Sequence, residues 1–353
     1  GNINFDINRM LYANSCLYVA TDEGLYCMDL NTGTKQWYRK EEGNPASLSG
    51  NLVTELLQDK EGTFWIGTTQ GLTLFDPADN SFINYKEDPY NPNGLINNSI
   101  VSLEEGKNGD IWVGTSKGLC VFNKNTAEFT SFNRADPYSL TSRLTSVIFE
   151  DSRKYLWVGT SNKGLNRINP FTGIIDHFRY HPDDSSSISG DAVNCIFEDS
   201  GGALWIGTDK GLNRFLGVDN GFERYTLEDG LPDNHIMSIL EDDSGNLWIS
   251  THHGLARFDY EDTVFTSFFR SDGLQGNRFT GACSKLPDGR LAFGGENGIT
   301  LFHSENIVQN TKKPRVQITA FEKFDEFPLY IYDPGSQKQY PRSSCQWDDC
   351  EAG

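Results

Sequence analysis

The chain has 353 residues, with 35 Gly, 13 Pro, 12% aromatic residues and a formal net charge of −19. So acidic a balance argues against the phosphate-neutralising surface that DNA or RNA binding needs, and it disfavours docking on anionic lipid. No run of 18 apolar residues is present, so no stretch reads as a membrane-spanning helix. Abundant Gly and aromatics, without long helical periodicity, predict many short strands joined by tight turns.

In chain order, Asn2 to Asn8 comes first, with Ile3, Phe5 and Ile7 alternating as in a strand. A repeated unit then runs to about residue 305. Its signature is Trp, Ile or Val, Gly, Thr, a short variable turn, then Gly-Leu. A weak first copy is Tyr18-Val19-Ala20-Thr21 to Gly24-Leu25. Five strong copies begin at Trp65, Trp112, Trp157, Trp205 and Trp248. A degenerate last copy is Ala292-Phe293-Gly294-Gly295 to Gly298-Ile299. The spacings are 47, 47, 45, 48, 43 and 44 residues. A period in the forties, with four strands per unit, is that of a propeller blade.

The copy at Trp205 shows the parse. Strand A is Ala192 to Glu198, B is Leu204 to Thr208, C is Gly211 to Phe215 and D is Phe222 to Thr226. An Asp opens the A–B turn, and Gly62, Gly109, Gly202, Gly245 and Gly289 close it in five copies. Lys154 stands there in the fourth blade, so its turn is expected to differ. The Trp that opens strand B reads as packing, and the mid-strand Gly as a point of close backbone approach. The last copy lacks an evident strand D, so Asn2 to Asn8 is expected to complete that blade and shut the ring.

The predicted fold class is therefore all-β: a seven-bladed β-propeller of four-stranded antiparallel blades, followed by a short partial β segment. The propeller is assigned to residues 1–310, and residues 311–353 to a linker and a remnant sandwich segment.

Of the seven Cys, none forms a CxxC pair or a cluster with zinc spacing, so no metal or cofactor is expected. Cys27, Cys120, Cys195 and Cys283 read as small buried strand residues; Cys345 and Cys350 are near enough to pair in an oxidising compartment. No secretory signal is visible, and Gly1 in place of Met reads as a processed or tagged end.

Glu198-Asp199 through Leu212 and Glu241-Asp242 through Leu255 resemble the two-component regulator propeller repeats. So do the inter-blade stretches Glu87-Asp88-Pro89 to Asn98-Ser99 and His181-Pro182-Asp183-Asp184 to Ser189. The resemblance implies the periplasmic or extracytoplasmic sensor region of a bacterial hybrid histidine kinase, many of which respond to polysaccharide breakdown products. Pro314 to Phe321 is similar to the first strand of the Tyr-Tyr-Tyr-type β-sandwich that follows such propellers. The match then stops, so the segment reads as truncated, and no kinase domain is expected in this chain.

A ligand is expected on the face formed by the D–A connections and B–C turns, because functional variation gathers on loops over a rigid scaffold. Those connections are long, as in Tyr85 to Asn98 and Tyr180 to Asp191. The residues leading into strand A are Asn51, Asn98, Arg143, Asp191, Asn234 and Asn277. Leu52, Ser99, Leu144, Ala192, His235 and Arg278 follow them. Before the B–C Gly stand Glu23, Gln70, Lys117, Lys163, Lys210, His253 and Asn297. Lys117, Lys163, Lys210 and His253, with Arg143 and Arg278, suggest a basic collar for an acidic or uronate-bearing oligosaccharide. The bland alternative is a ring of solvated turn residues.

No catalytic motif appears, so the first expectation is a non-catalytic sensor that binds an oligosaccharide or another small ligand. A propeller lyase or glycoside-active enzyme is the alternative, with His235, His252, His253 and Asp191 its plausible constellation. A protein-interaction or homodimerisation scaffold is the third reading.

Overall fold

The A–B turn is the local rule from which each blade grows. Asp59 Oδ1 accepts the Thr63 amide at 2.9 Å, and Oδ2 accepts the Trp65 indole Nε1 at 2.9 Å. One carboxylate thus closes the hairpin and satisfies the polar edge of a buried Trp. Asp151, Asp199 and Asp242 hold Trp157, Trp205 and Trp248 in the same way, at 2.8, 2.8 and 2.9 Å. Blade 3 has Gly106 at this position, and its Trp112 lies half-buried where the four clamped Trp are buried.

The turn of the fourth blade does not differ from the others. Lys154 adopts φ 71°, beside 79–89° for the five Gly, and its amide bonds Asp151 O at 2.9 Å as Gly62 bonds Asp59 O. The same backbone bond closes the turn where no Asp stands, from Gly109 to Gly106 O and from Gly289 to Leu286 O, so the hairpin itself sets the turn and a Cβ is accommodated at a conformational cost.

The computed structural model describes residues 6–132, 139–260 and 262–307, together with the backbone of 330–333 and 338–341. Seven antiparallel sheets form a seven-bladed propeller. Strand A of each blade lies innermost: Ile7–Ala13, Val53–Gln58, Ile100–Glu105, Thr145–Glu150, Val193–Glu198, Ile236–Glu241 and Phe279–Lys285. Each packs beside the next, and the last packs beside the first, so the ring is closed. The first six blades have four strands, and the seventh has three among the described residues.

The strand expected to close that blade falls elsewhere in part. Ile7 and Asn8 begin the inner strand of blade 1, paired with Cys16–Thr21. Asn2 to Phe5 lie outside the described residues. Ile7 instead seals the ring by packing: a Cβ on Gly294 of blade 7 would sit 2.9 Å from Ile7 Cγ2. The same contact recurs around the ring, with Gly67 under Ile100 and Gly207 under Ile236, at 2.7 and 2.6 Å. The mid-strand Gly thus lets the opening residue of the next inner strand seat itself. Burying an aromatic side chain such as Trp205 at a seam contributes several kcal/mol.

Cys27 and Cys120 are buried as expected, whereas Cys195 and Cys283 are only half-buried. Residues 308–353 form a second compact unit, in which Tyr330–Asp333 pairs antiparallel with Lys338–Pro341. The sandwich strand read at Pro314 to Phe321, and Cys345 and Cys350, lie outside the described residues. Among the described residues no helix is long and apolar enough to cross a membrane.

Candidate functional site

The loops of the candidate face are fastened by a repeated clip. The residue leading into strand A turns its side-chain oxygen back onto the amide at the start of its own loop. Asn51 accepts from Lys40, Asn98 from Glu87, Asn234 from Leu227 and Asn277 from Arg270, at 2.7, 2.7, 2.8 and 2.7 Å. Asp191 accepts from Tyr180 at 3.0 Å and takes both ends of the Arg179 guanidinium at 3.0 and 2.7 Å. Partial burial pushes the Asp191 carboxyl up, but Arg179 and the Tyr180 amide outweigh it and hold it below the usual range. Asn98, Asp191 and Asn277, read from sequence as ligand contacts, therefore spend these side-chain oxygens on the loops. Arg143 breaks the column: it is exposed and has no side-chain partner among the described residues.

The B–C positions do not form one converging ring. Lys117 Nζ is held by Glu87 at 3.2 Å, and Lys210 Nζ lies 4.9 Å over the Tyr180 ring. The His253 ring sits 5.8 Å from that of Phe269. Lys163 alone of the three Lys is exposed without a side-chain partner among the described residues, though its charge helps to depress Asp191.

Blade 6 brings together two residues that sequence placed on neighbouring turns. The His235 ring stacks on His252 at 3.8 Å and 11°. Burial, and then the His235 and Arg278 charges, pull the His252 pKa below its ordinary value against Asp233. His252 is thus held neutral at neutral pH, beside an exposed Arg278. Asp191 belongs to blade 5 and is bound to Arg179, and His253 meets Phe269, so the four-residue lyase constellation is not assembled. Among the described residues no group of three or more His, Cys, Asp or Glu is gathered for a metal.

Sequence reading missed the polar groups around the axis. Every inner strand carries a register irregularity near its start. Such a bulge re-aims the extra residue. That residue fastens the next blade: Asn8 donates to Val53 O, Thr54 to Ile100 O, Ser146 to Val193 O and Asn194 to Ile236 O, at 2.8, 2.8, 2.6 and 2.8 Å. One position on, Arg9 pairs with Glu55 of blade 2 at 3.0 Å. Glu55 raises the Arg9 pKa against burial, with Cys283 of blade 7 and Cys195 of blade 5 adding to it. Neighbours from three other blades place this guanidinium near the axis. Burial, then the nearby Glu150 and Glu55 charges, raises the Glu104 carboxyl to about 8, against its bond from the Glu150 amide.

The comparisons agree with this architecture. The two-component regulator propeller family model matches residues 47–70, 94–117, 187–210 and 230–253, so blades 2, 3, 5 and 6 carry these repeats. No curated protein matches the sequence. Among solved structures, the extracellular domain of a hybrid two-component system from B. thetaiotaomicron superposes with a TM-score of 0.75 at 23% identity, over 97% of this chain and 44% of that one. This chain thus spans less than half of that relative. Virginiamycin B lyase from Staphylococcus aureus, in a catalytically inactive variant with quinupristin, gives 0.63 at 14% identity, over 85% and 96%. PorZ, a surface component of the type-IX secretion system of Porphyromonas gingivalis, gives 0.64 at 16% identity, over 84% and 46%. At such identities these likenesses show the fold.

Proposed function

We propose that this two-component regulator propeller is a non-catalytic, extracytoplasmic sensor module that binds an anionic oligosaccharide on its loop face. The observation that carries the reading is a trio of exposed cations without side-chain partners among the described residues, Arg143, Lys163 and Arg278. In a chain of net charge −19, cations left free on one face are matched to an outside anion. The Asn and Asp clips hold the loops in place before binding, which lowers the ordering cost of a ligand. Extracytoplasmic placement rests on the repeats and on the likeness to an extracellular domain.

Calorimetry with neutral and uronate-bearing oligosaccharides tests this. Saturable binding of an acidic glycan, weakened by Arg143→Ala or Arg278→Ala and by salt, is expected. Equal binding by both variants, or no heat at millimolar glycan, would sink the reading.

The His235–His252 stack favours a second reading, a lyase-type activity, because a neutral His beside another can take up a proton. Product formation that disappears in His252→Ala would establish it; a substrate bound but recovered intact would remove it. The dimerisation reading attaches to residues 311–353, of which only two backbone strands are described.

A further inference from the structure

The seams between blades contain an internal comparison on the face opposite the loops. The residue six positions after the B–C Gly is carried to the Asp–Trp clamp of the preceding blade. Between blades 2 and 3 this is Lys124, whose Nζ lies 2.7 Å from Asp59 Oδ2 and 3.3 Å from Glu105 Oε1. Between blades 5 and 6 it is Tyr260. Its hydroxyl bonds Asp199 Oδ2 and accepts from Trp205 Nε1 at 2.9 Å. Its ring lies edge-on, 5.9 Å from Trp205 and 5.3 Å from Phe258.

Between blades 4 and 5 the same position is Gly217. A cavity of about 130 Å³ opens there, lined among others by Asp151, Tyr155, Trp157, Arg167, Phe215 and Gly217. Two of its walls repeat those around Tyr260, while Tyr155 stands where Ala203 does at the next seam. Trp157 and Phe215 meet edge-on at 4.9 Å, as Trp205 and Phe258 do at 5.7 Å. Arg167 lies over Trp157 at 5.7 Å, as Arg214 lies over Trp205 at 5.9 Å. Asp151 Oδ2 accepts the Trp157 indole at 2.8 Å and has no other hydrogen bond among the described residues.

We propose that this seam is a binding site for a small para-substituted phenol, whose ring and hydroxyl take the places that Tyr260 fills at the next seam. The hydroxyl donates to Asp151 Oδ2 and accepts from Trp157 Nε1, while the ring packs on Trp157 and Phe215. The para substituent points outward, as the Tyr260 backbone does. The volume is matched to the ring alone, being a little below the ~150 Å³ of an apolar cavity that takes up benzene, and the para substituent lies outside it.

An ammonium, the other occupant seen in this chain, is excluded by the surroundings. Beside Lys124 the residue paired with Trp65 is Leu74, whereas here Arg167, itself ion-paired with Asp176 at 2.6 Å, is paired with Trp157 and already sets a cation against the cavity. Glu105 Oε2 accepts the Lys60 amide at 2.9 Å, as Glu198 Oε2 accepts the Ser152 amide at 2.8 Å, but Oε1 holds Lys124 in the one and is taken by the Ser152 hydroxyl at 2.6 Å in the other. The site lies away from the loop face and stands independently of the sensing reading.

The test titrates p-cresol to millimolar concentration into the whole chain and follows the Trp indole N–H resonances, with Trp157 assigned through Trp157→Phe. A saturating shift at Trp157 is expected while Trp205 and Trp248 stay still. In Tyr260→Ala a second saturating response is expected, at Trp205. An unmoved Trp157, or equal drift of all indoles, overturns the proposal. A response at Trp205 in Tyr260→Ala with none at Trp157 also overturns it. If Tyr260→Ala does not fold, the wild-type titration decides alone.

Discussion

Asp242→Ala removes three short hydrogen bonds from one turn, together with two longer ones from the Asn246 side-chain amide at 3.4 and 3.3 Å. Asp242 Oδ1 accepts the Ser244 and Asn246 amides at 2.9 and 3.0 Å, and Oδ2 accepts Trp248 Nε1 at 2.9 Å. Trp248 is fully buried, so its indole N–H would be left without a partner and without water. That costs about 1–3 kcal/mol, and each turn amide adds about 0.5–1.5 kcal/mol where water cannot replace the bond. Roughly 3–4 kcal/mol is therefore expected from urea unfolding at pH 7. Acid supplies the second half of the test. Burial raises the Asp242 carboxyl, but the bonds from Trp248 and the turn amides outweigh it, and its folded pKa lies below the ordinary value. A depressed folded pKa gives stability that is present above the unfolded value, about 4, and is lost as pH falls through the folded one. The gap between wild type and variant should therefore narrow below about pH 4. A variant within about 1 kcal/mol of wild type at pH 7, or a gap that survives acidification unchanged, refutes the clamp as described.

Lys154→Gly should stabilise by about 0.5–1 kcal/mol in the same assay, because relief of the positive φ exceeds the added freedom of the unfolded chain. Burial raises the folded pKa of Glu104 to about 8, so its contribution is full below the unfolded value and declines as pH rises toward 8. Glu104→Gln should remove that decline in melts taken from pH 5 to pH 8; an unchanged pH profile would contradict the assignment. Thr54→Val deletes the bond to Ile100 O and should cost about 1 kcal/mol, whereas Val101→Thr, at the matching position of blade 3, should recover a similar amount in urea unfolding.

The ring was legible in the sequence because Trp, Gly and Asp recur at fixed offsets, and each has one structural task. What each side chain faces was less legible. Asn51, Asn98, Asp191, Asn234 and Asn277 form a visible column, but their partners are loop amides 7 to 11 residues away, and the loop path that brings them together is not encoded in spacing. The bulge in each inner strand shifts side-chain direction by one residue. Asn8, Thr54, Ser146 and Asn194 therefore fasten the seams, although in the last three the sequence drew attention to Leu52, Leu144 and Ala192, two positions earlier. Arg9 and Glu55 are 46 residues apart and meet only once neighbouring inner strands are in register. A charge in the middle of an inner strand was the available signal. The Lys154 turn was misread because the A–B hairpin, rather than the residue at positive φ, dictates its shape.

Seven copies of one unit act as controls for one another. A column whose residues keep the same partner in every blade belongs to the scaffold, and a column that changes partner marks a place where something else is held. The clip column keeps its role in five blades and loses it at Arg143, where blade 4 begins. The B–C Lys column is tied down at Lys117 and Lys210 but free at Lys163, in the same blade. The column that covers the Asp–Trp clamp is filled at Lys124 and Tyr260 and empty at Gly217, which leaves the clamp of blade 4 open. Three independent departures thus meet on blade 4, two on its loop face and one on the opposite face. Under the two sites proposed above, blade 4 and its seam with blade 5 are therefore where substitutions are most informative.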